Sequence, residues 1–149
     1  MKTELYEGVR LMLNDIDINF PAFALSGLLA FLLGILWYHP KILGARWNEV
    51  RGESTRGRSP LLFISSFFLW TLSACFYAFL AEFLGIDTAA GYFCLSCLLW
   101  VAFSMPPTLM SALYTGYPFE AMAIDTSYQL GGYYIFAAVH IGFIEAGIL

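Results

Sequence analysis

The stretch LLGILWYHPKILGARW, residues 32–47, decides the fold because an unbroken apolar run ends there on two aromatic residues, a histidine and a proline. Tryptophan, tyrosine and histidine have apolar bodies and polar tips, so they favour the level of the lipid headgroups. Pro40 cannot continue a helix, and Lys41 begins a charged segment. The stretch therefore indicates the point at which a helix leaves the hydrocarbon layer of a membrane.

The composition of the chain agrees with this interpretation. Of its 149 residues, 60% are hydrophobic and only 12% are charged, whereas an ordinary soluble domain carries about 25% charged residues. Lipid is therefore expected to be the main solvent of the chain. The basic residues are concentrated in one short loop, which argues against nucleic acid as a partner.

Four apolar stretches are long enough to cross a bilayer, whose core of about 30 Å requires about 20 helical residues. They cover roughly 18–38, 60–82, 88–114 and 120–144. Short connections make consecutive helices antiparallel neighbours, so the sequence predicts an all-α integral membrane four-helix bundle over 18–149. Pro106 and Pro107 remove two backbone donors from the third stretch and predict a kink in that helix.

Residues 1–17 form a separate N-terminal segment. Leu5, Val9, Met12 and Ile16 recur at helical spacing, so an amphipathic helix lying on the membrane surface is expected. A partner-binding or frayed terminus is the alternative.

The basic residues predict how the chain is oriented. Of the seven lysines and arginines, five lie between the first two spans: Lys41, Arg46, Arg51, Arg56 and Arg58. The positive-inside rule assigns the loop 41–59 to the cytoplasmic side, or to its matrix or stromal equivalent, and both termini to the opposite side.

Asp125 is the main candidate for a functional residue, because it lies about one turn inside the fourth span. An ionisable residue within a span costs about 2.5–3.5 kcal/mol on insertion scales and normally faces a partner or water. The topology brings Tyr38, His39 and Tyr128 to the same level, with Arg46 as a candidate ion partner. The functional interpretation is a polar pocket for an ion, a proton or a lipid headgroup. The alternative is that Asp125 is wetted or forms a structural ion pair.

Small residues recur every four positions along the first span, and a shorter series occurs on the fourth. Such stripes allow helix backbones to approach closely in lipid. They predict tight packing, either within the chain or with a partner. The residues are Ala22, Ser26, Ala30 and Gly34 on the first span, and Ser127 and Gly131 on the fourth.

Cysteine and histidine side chains in the half of the membrane away from the basic loop are candidate metal ligands. They are Cys75, Cys94, Cys97 and His140, which are residue types that bind zinc. Cysteine is, however, commonly buried as a small hydrophobic residue, and no second cysteine pair supports a site. We therefore predict no metal and no cofactor.

The pattern Gly34-x-x-Trp37-Tyr38-x-Pro40 followed by Gly44-x-x-Trp47 resembles the signature of the DUF1761 family of small membrane proteins. Further agreement lies in residues 100–107, in Gly116-x-Pro118, and in Ile124-Asp125 followed by Tyr128. The likeness extends from about residue 19 to residue 142. It implies a bundle of four spans and transfers no reaction, because the family's function is unknown.

The sequence contains no nucleophile–base pair, phosphate loop or metal motif, so an enzyme is not expected. We expect a non-catalytic accessory subunit that packs against a larger membrane complex, such as a respiratory or photosynthetic one. The alternative is an oligomeric transporter of a small solute, ion or proton, or a lipid-binding protein, that uses the polar residues around Asp125. The expected partners are the lipid bilayer and either other membrane-protein subunits or further copies of the chain.

Overall fold

The computed structural model of the chain describes residues 18–52 and 59–148. The described residues are all-α, as predicted. Their helices are α1 (Phe20–Trp37), α2 (Ala45–Arg51), α3 (Pro60–Phe83), α4 (Ala89–Leu99), α5 (Met105–Thr115) and α6 (Phe119–Glu145). A π-helical turn, Pro40–Gly44, precedes α2, and a second one, Trp100–Ser104, joins α4 to α5. The amphipathic helix expected within 1–17 lies outside the described residues.

Three helices are long and apolar enough to cross a membrane. They are Phe20–Trp37, Pro60–Phe83 and the continuous run Ala89–Thr115. The fourth predicted span corresponds to α6. This helix has 27 residues, but it is not one of the three that are apolar enough to cross a membrane. The reason lies in its side chains, because α6 carries Asp125, Gln129, His140 and several tyrosines among its apolar residues.

Polar side chains define where the helices begin. The Asn19 side chain accepts a hydrogen bond of 2.8 Å from the Ala22 amide at the start of α1. Ser59 caps α3 in the same way, and Thr88 caps α4. These caps satisfy amides that have no partner within the helix. The helix α5 ends at Gly116. The φ of this residue is 68°, a backbone conformation that favours glycine.

The helix α6 lies at the centre of the bundle. It packs against α1, α2, α4 and α5, and it meets α3 where the Trp70 ring lies 5.7 Å from the Phe136 ring. The helix α1 also packs along α3. A buried cluster that includes Ala30, Tyr77, Leu95 and Phe136 fills the space between these helices.

The small residues of α1 pack inside the chain. Ala22, Ser26 and Ala30 are fully buried, and a β-carbon added at Gly34 would overlap the hydroxyl of Tyr128. The two small residues predicted to pack on α6 differ in their surroundings. Gly131 lies against Leu33, whereas Ser127 is exposed and donates a hydrogen bond of 2.7 Å to the carbonyl of Ala123 in its own helix.

The helix that contains the two prolines departs from α-helical geometry about one turn before them. The π-helical turn Trp100–Ser104 comes first, and Pro106 and Pro107 lie in the first turn of α5. Proline has no amide to donate, so the regular helical hydrogen bonds to carbonyls one turn before Pro106 and Pro107 are missing. Next to these carbonyls, the hydroxyl of Thr108 donates a 2.8 Å hydrogen bond to the carbonyl of Ser104.

The cysteines and His140 are distributed rather than clustered. Cys94 is exposed, and the sulfur of Cys97 lies 3.4 Å from the hydroxyl of Tyr134. The ring of His140 is buried between Tyr77 and Tyr92, and its Nδ1 lies 2.8 Å from the carbonyl of Phe136. Within 18–52 and 59–148, no group of three His, Cys, Asp or Glu side chains is arranged to hold a metal ion.

Candidate functional site

The candidate site is built around the carboxylate of Asp125, in the second turn of α6. Its Oδ1 accepts hydrogen bonds from the hydroxyl of Tyr38 and the indole nitrogen of Trp47, both at 2.7 Å. Its Oδ2 accepts a hydrogen bond of 2.7 Å from the hydroxyl of Tyr117. We call Tyr38, Trp47, Tyr117 and Asp125 the Asp125 cluster. Short bonds to an ionised acceptor are among the stronger hydrogen bonds in proteins.

Each donor of the Asp125 cluster comes from a different part of the chain. Tyr38 directly follows the last residue of α1, Trp47 lies on α2, and Tyr117 lies between α5 and α6. The π-helical turn Pro40–Gly44 lies between α1 and α2, and α2 packs against α6. One carboxylate therefore joins three segments to α6.

Aromatic rings surround the Asp125 cluster. The ring of Tyr38 packs edge to face against Trp47 and Tyr128, with both centroid distances at 5.2 Å. The guanidinium of Arg51 lies 4.1 Å above the Trp47 ring and 5.4 Å from the Tyr117 ring. Cations favour this position over an aromatic face, so Arg51 covers two of the three donors.

The environment keeps Tyr117 protonated. Burial, together with the hydrogen bond to Asp125 and the charge of that carboxylate, raises the pKa of Tyr117 to about 12. The positive charge of Arg51 acts in the opposite direction. At neutral pH the Tyr117 hydroxyl is therefore a permanent hydrogen-bond donor to Asp125.

Of the residues predicted from the sequence, Tyr38 and Asp125 are in direct contact. Tyr128 reaches the cluster through the Tyr38 ring, and its own hydroxyl accepts a hydrogen bond from the indole of Trp70. His39 is exposed, and its Nδ1 accepts a 3.2 Å hydrogen bond from the amide of Lys41. His39 therefore caps the π-helical turn and does not face Asp125.

Arg46 pairs with Glu120, not with Asp125. Its Nε and Nη2 donate to the two carboxylate oxygens of Glu120 at 2.6 and 2.8 Å, and its Nη1 donates to Glu49 at 3.0 Å. These hydrogen bonds to Glu120 and Glu49 raise the pKa of Arg46. All three side chains are exposed, so this ion-pair group lies at the surface beside the cluster.

Two members of the Asp125 cluster were not identified from the sequence. Neither Trp47 nor Tyr117 is among the candidate site residues named from the sequence. A signal for both existed, because they belong to the segments Gly44-x-x-Trp47 and Gly116-x-Pro118 that carry the family resemblance.

Two cavities flank the Asp125 cluster. One of about 240 Å³ opens between α1 and α3 and is lined mainly by apolar side chains, with Tyr38, Trp47 and Tyr128 at its polar end. The other, of about 410 Å³, lies between α5 and α6 and is lined by Thr108, Ser111, Thr115, Tyr117 and Asp125. We call the second one the Asp125 cavity.

The geometry of the Asp125 cluster is suited to holding segments together. Each carboxylate oxygen of Asp125 already accepts at least one hydrogen bond from the chain. A group that binds a substrate ion needs acceptor capacity directed into an open site. Asp125 also lines the Asp125 cavity, and a carboxylate can accept more than three hydrogen bonds.

Comparison with known proteins identifies the family. Residues 21–141 match the family described as "Protein of unknown function (DUF1761)". The chain belongs to this family. No curated protein and no solved structure matches it significantly.

Proposed function

We propose that this member of the DUF1761 family is a non-catalytic accessory subunit that packs against a larger assembly in its membrane. The observation that carries the proposal is that Asp125 accepts hydrogen bonds from three donors of its own chain. The ionised residue that the sequence singled out as a binding or transport group thereby serves to hold the bundle together. We therefore expect the chain to act through contacts of the outer surface of the bundle.

We further propose that all four long helices cross the bilayer, with α6 as the fourth span. At 1.5 Å per residue, the 27 residues of α6 extend about 40 Å, more than the bilayer core of about 30 Å. Its polar side chains find partners inside the bundle, as membrane helices require. Tyr133 pairs with Ser104 at 3.0 Å, and Gln129 donates to Thr108 at 3.3 Å.

The proposed orientation has the loop that holds α2 on the cytoplasmic or equivalent side. Single cysteines at Gly52 and Gly85, in a variant without the native cysteines, test it with a membrane-impermeant maleimide. Labelling of the two positions from opposite sides is expected. Labelling of both from the same side would refute the proposal of four spans.

The surface proposed for the partner is the outer face of α3, which consists of Leu61, Ile64, Phe68 and Leu72. These side chains are 54–67% exposed, and their spacing puts them on one side of the helix. None of the buried residues of α3 precedes Ala74. The first half of the helix is therefore available to apolar helices of another subunit.

Native electrophoresis of the membrane in which the chain resides, solubilised with a mild detergent, tests the accessory role. The chain is expected to comigrate with a larger complex. Phe68→Ala with Leu72→Ala is expected to weaken comigration. Phe103→Ala is the matched control, because Phe103 is 69% exposed and lies in the π-helical turn Trp100–Ser104, away from α3. Migration of the wild-type chain as a free monomer or a homo-oligomer would contradict the proposal.

One observation favours the alternative, transport or binding at Asp125, namely the hydroxyl-lined Asp125 cavity. Thr115→Val and Ser111→Val change the lining of this cavity without removing a donor to Asp125. If the alternative holds, both substitutions slow proton uptake by reconstituted vesicles, which an entrapped pH-sensitive dye reports. If vesicles with the wild-type protein take up protons no faster than protein-free vesicles, the chain does not transport protons.

A further inference from the structure

The two histidines of the chain lie in opposite environments. His39 is exposed, whereas only 3% of the surface of His140 is exposed. His140 lies five residues before the end of α6 and fifteen residues after Asp125, which is about 22 Å along the helix at 1.5 Å per residue. It therefore belongs to the end of the bundle opposite the Asp125 cluster, and it takes no part in the contacts of that cluster.

The two ring nitrogens of His140 have different surroundings. Nδ1 lies 2.8 Å from the carbonyl oxygen of Phe136, one turn earlier in α6. Since a carbonyl only accepts hydrogen bonds, Nδ1 carries the hydrogen of the neutral ring and Nε2 presents its lone pair. Nε2 is buried and has no hydrogen-bond partner among the described residues. The packed bundle therefore fits one tautomer of the neutral imidazole.

Tyrosines of two other helices enclose the ring of His140. Its centroid lies 5.6 Å from the ring of Tyr77 on α3 and 5.4 Å from the ring of Tyr92 on α4. The hydroxyl of Tyr77 donates a hydrogen bond of 3.0 Å to the carbonyl of Tyr92 and lies 2.9 Å from the hydroxyl of Ser96. The Ser96 hydroxyl in turn donates to the carbonyl of Tyr133. The polar groups beside the ring are thus already paired, and α1 contains no titratable side chain.

Carboxylates lie at the same end of the bundle. Glu82 and Asp87 are exposed, and both are near enough to Tyr92 to act on it electrostatically. Glu145, the last residue of α6, is exposed as well. These negative charges would attract an imidazolium, but none of them is a hydrogen-bond partner of the His140 ring while the helices are packed.

Protonation of His140 is unfavourable in this packing. It would add a hydrogen at Nε2, where the described residues provide no acceptor. It would also place a positive charge inside the bundle without an anionic partner, which costs free energy. Histidine is the side chain whose charge ordinarily changes between pH 5 and pH 8. Acidification within this range therefore acts against the contacts that enclose His140.

We propose that His140 is a pH sensor, whose protonation releases α4 from α3 and α6 at the end of the bundle opposite α2. In the closed arrangement the neutral ring lies between Tyr77 and Tyr92. In the open one the imidazolium reaches water and the carboxylates of Glu82 and Asp87. A pH switch requires one protonated group and one element with two positions, and α4 is that element. This inference does not depend on whether the chain is an accessory subunit.

Distances between spin labels in reconstituted vesicles, equilibrated at pH 8 and at pH 5, test the sensor. One label is attached at Ala90→Cys on α4 and the other at Gly142→Cys on α6. Both positions are exposed, and nothing lies within 4 Å of a β-carbon at position 142. The variant that carries the labels has alanine in place of the native cysteines, which are Cys75, Cys94 and Cys97.

A second pair of labels is the matched control. Ser111→Cys on α5 and Ser127→Cys on α6 are exposed positions towards the other end of the bundle. Acidification is expected to lengthen the distance between positions 90 and 142 and to leave the distance between positions 111 and 127 unchanged. Equal distances between positions 90 and 142 at the two pH values would overturn the sensor.

Substitution of each histidine assigns the effect. His140→Gln, which removes the titratable ring, is expected to abolish the change in distance between positions 90 and 142. His39→Gln, at the exposed histidine, is expected to retain it. A change that persists in His140→Gln would overturn the assignment to His140. Failure of the chain to comigrate with a larger complex, which would refute the accessory role, leaves these distances unaffected.

The imidazole ¹⁵N signals test the closed arrangement without a substitution at position 140. The protein labelled at its two histidines gives two sets of signals, and His39→Gln identifies the set of His140. At pH 8, Nδ1 is expected to be protonated and Nε2 to be bare. The second proton is expected to bind only in the pH range in which the spin-label distance lengthens. The opposite tautomer at pH 8, or a second proton bound without any change in distance, would refute the proposal.

Discussion

Tyr38 and Asp125 are 87 residues apart in the chain and are joined by a hydrogen bond of 2.7 Å between the phenol hydroxyl and carboxylate Oδ1. Trp47 donates to the same oxygen. The nearby cation Arg46 instead pairs with Glu120 at the surface. The half-buried carboxylate is thus stabilised by neutral donors, while the ion pair remains in contact with solvent, where the desolvation of charge costs least.

Asp125→Ala is expected to destabilise the protein strongly. A hydrogen bond to a charged group contributes about 1.5–3 kcal/mol, and this substitution leaves three donors without their acceptor. The temperature at which the detergent-solubilised protein loses its monodisperse elution peak measures the effect. Ser127→Ala, at an exposed position two residues along α6, is the control. An unchanged temperature for Asp125→Ala would show that the cluster is not structural.

The contribution of Tyr117 is expected to disappear at high pH. Its pKa is about 12 in the folded protein, against an ordinary value of 10.0. A raised folded-state pKa means that the stabilisation is complete below about pH 10 and is lost as the pH rises through about 12. The difference in stability between the wild type and Tyr117→Phe should therefore decrease over this range. A difference that is constant from pH 8 to pH 12 would contradict the prediction.

Gly34→Leu is expected to separate α1 from α6. A β-carbon at position 34 overlaps the hydroxyl and ring of Tyr128, and Tyr128 in turn packs against Tyr38. Overpacking of this kind typically costs about 1–3 kcal/mol. Gly142→Leu is the matched control, because nothing lies within 4 Å of a β-carbon at that position. The two variants should differ in melting temperature, and equal temperatures would mean that α1 moves away without cost.

The ion pair of Arg46 and Glu120 is expected to contribute little. Both side chains are about half exposed, and exposed pairs are screened by salt. A double-mutant cycle with Arg46→Gln and Glu120→Gln should give a coupling free energy that is small compared with the effect of Asp125→Ala. That coupling should decrease further in high salt. A coupling that is large and independent of salt would indicate that the pair is buried by a partner.

Much of the fold follows from the sequence because the bilayer imposes simple rules. Long apolar runs specify long helices, and Asn19, Ser59 and Thr88 give their starting points through side-chain caps. The approach of Tyr38 to Asp125 was predictable for a related reason. Antiparallel neighbours of similar length bring residues at matching depths to the same level.

The rest of the candidate site depends on details that periodicity does not encode. Trp47 reaches Asp125 from α2, which directly follows the π-helical turn Pro40–Gly44, and no repeat in the sequence predicts that turn. Arg46 had two carboxylates of α6 to choose from, Glu120 and Asp125, and it pairs with the more exposed one, Glu120.

The central position of α6 determines the order in which this protein can mature. Of the long helices, α6 is the last to leave the ribosome, yet α1, α4 and α5 pack against it. Until it emerges, the Tyr38 hydroxyl and the Trp47 indole cannot form their hydrogen bonds to Asp125. The earlier helices can therefore reach their final packing only after α6, residues 119–145, has joined them.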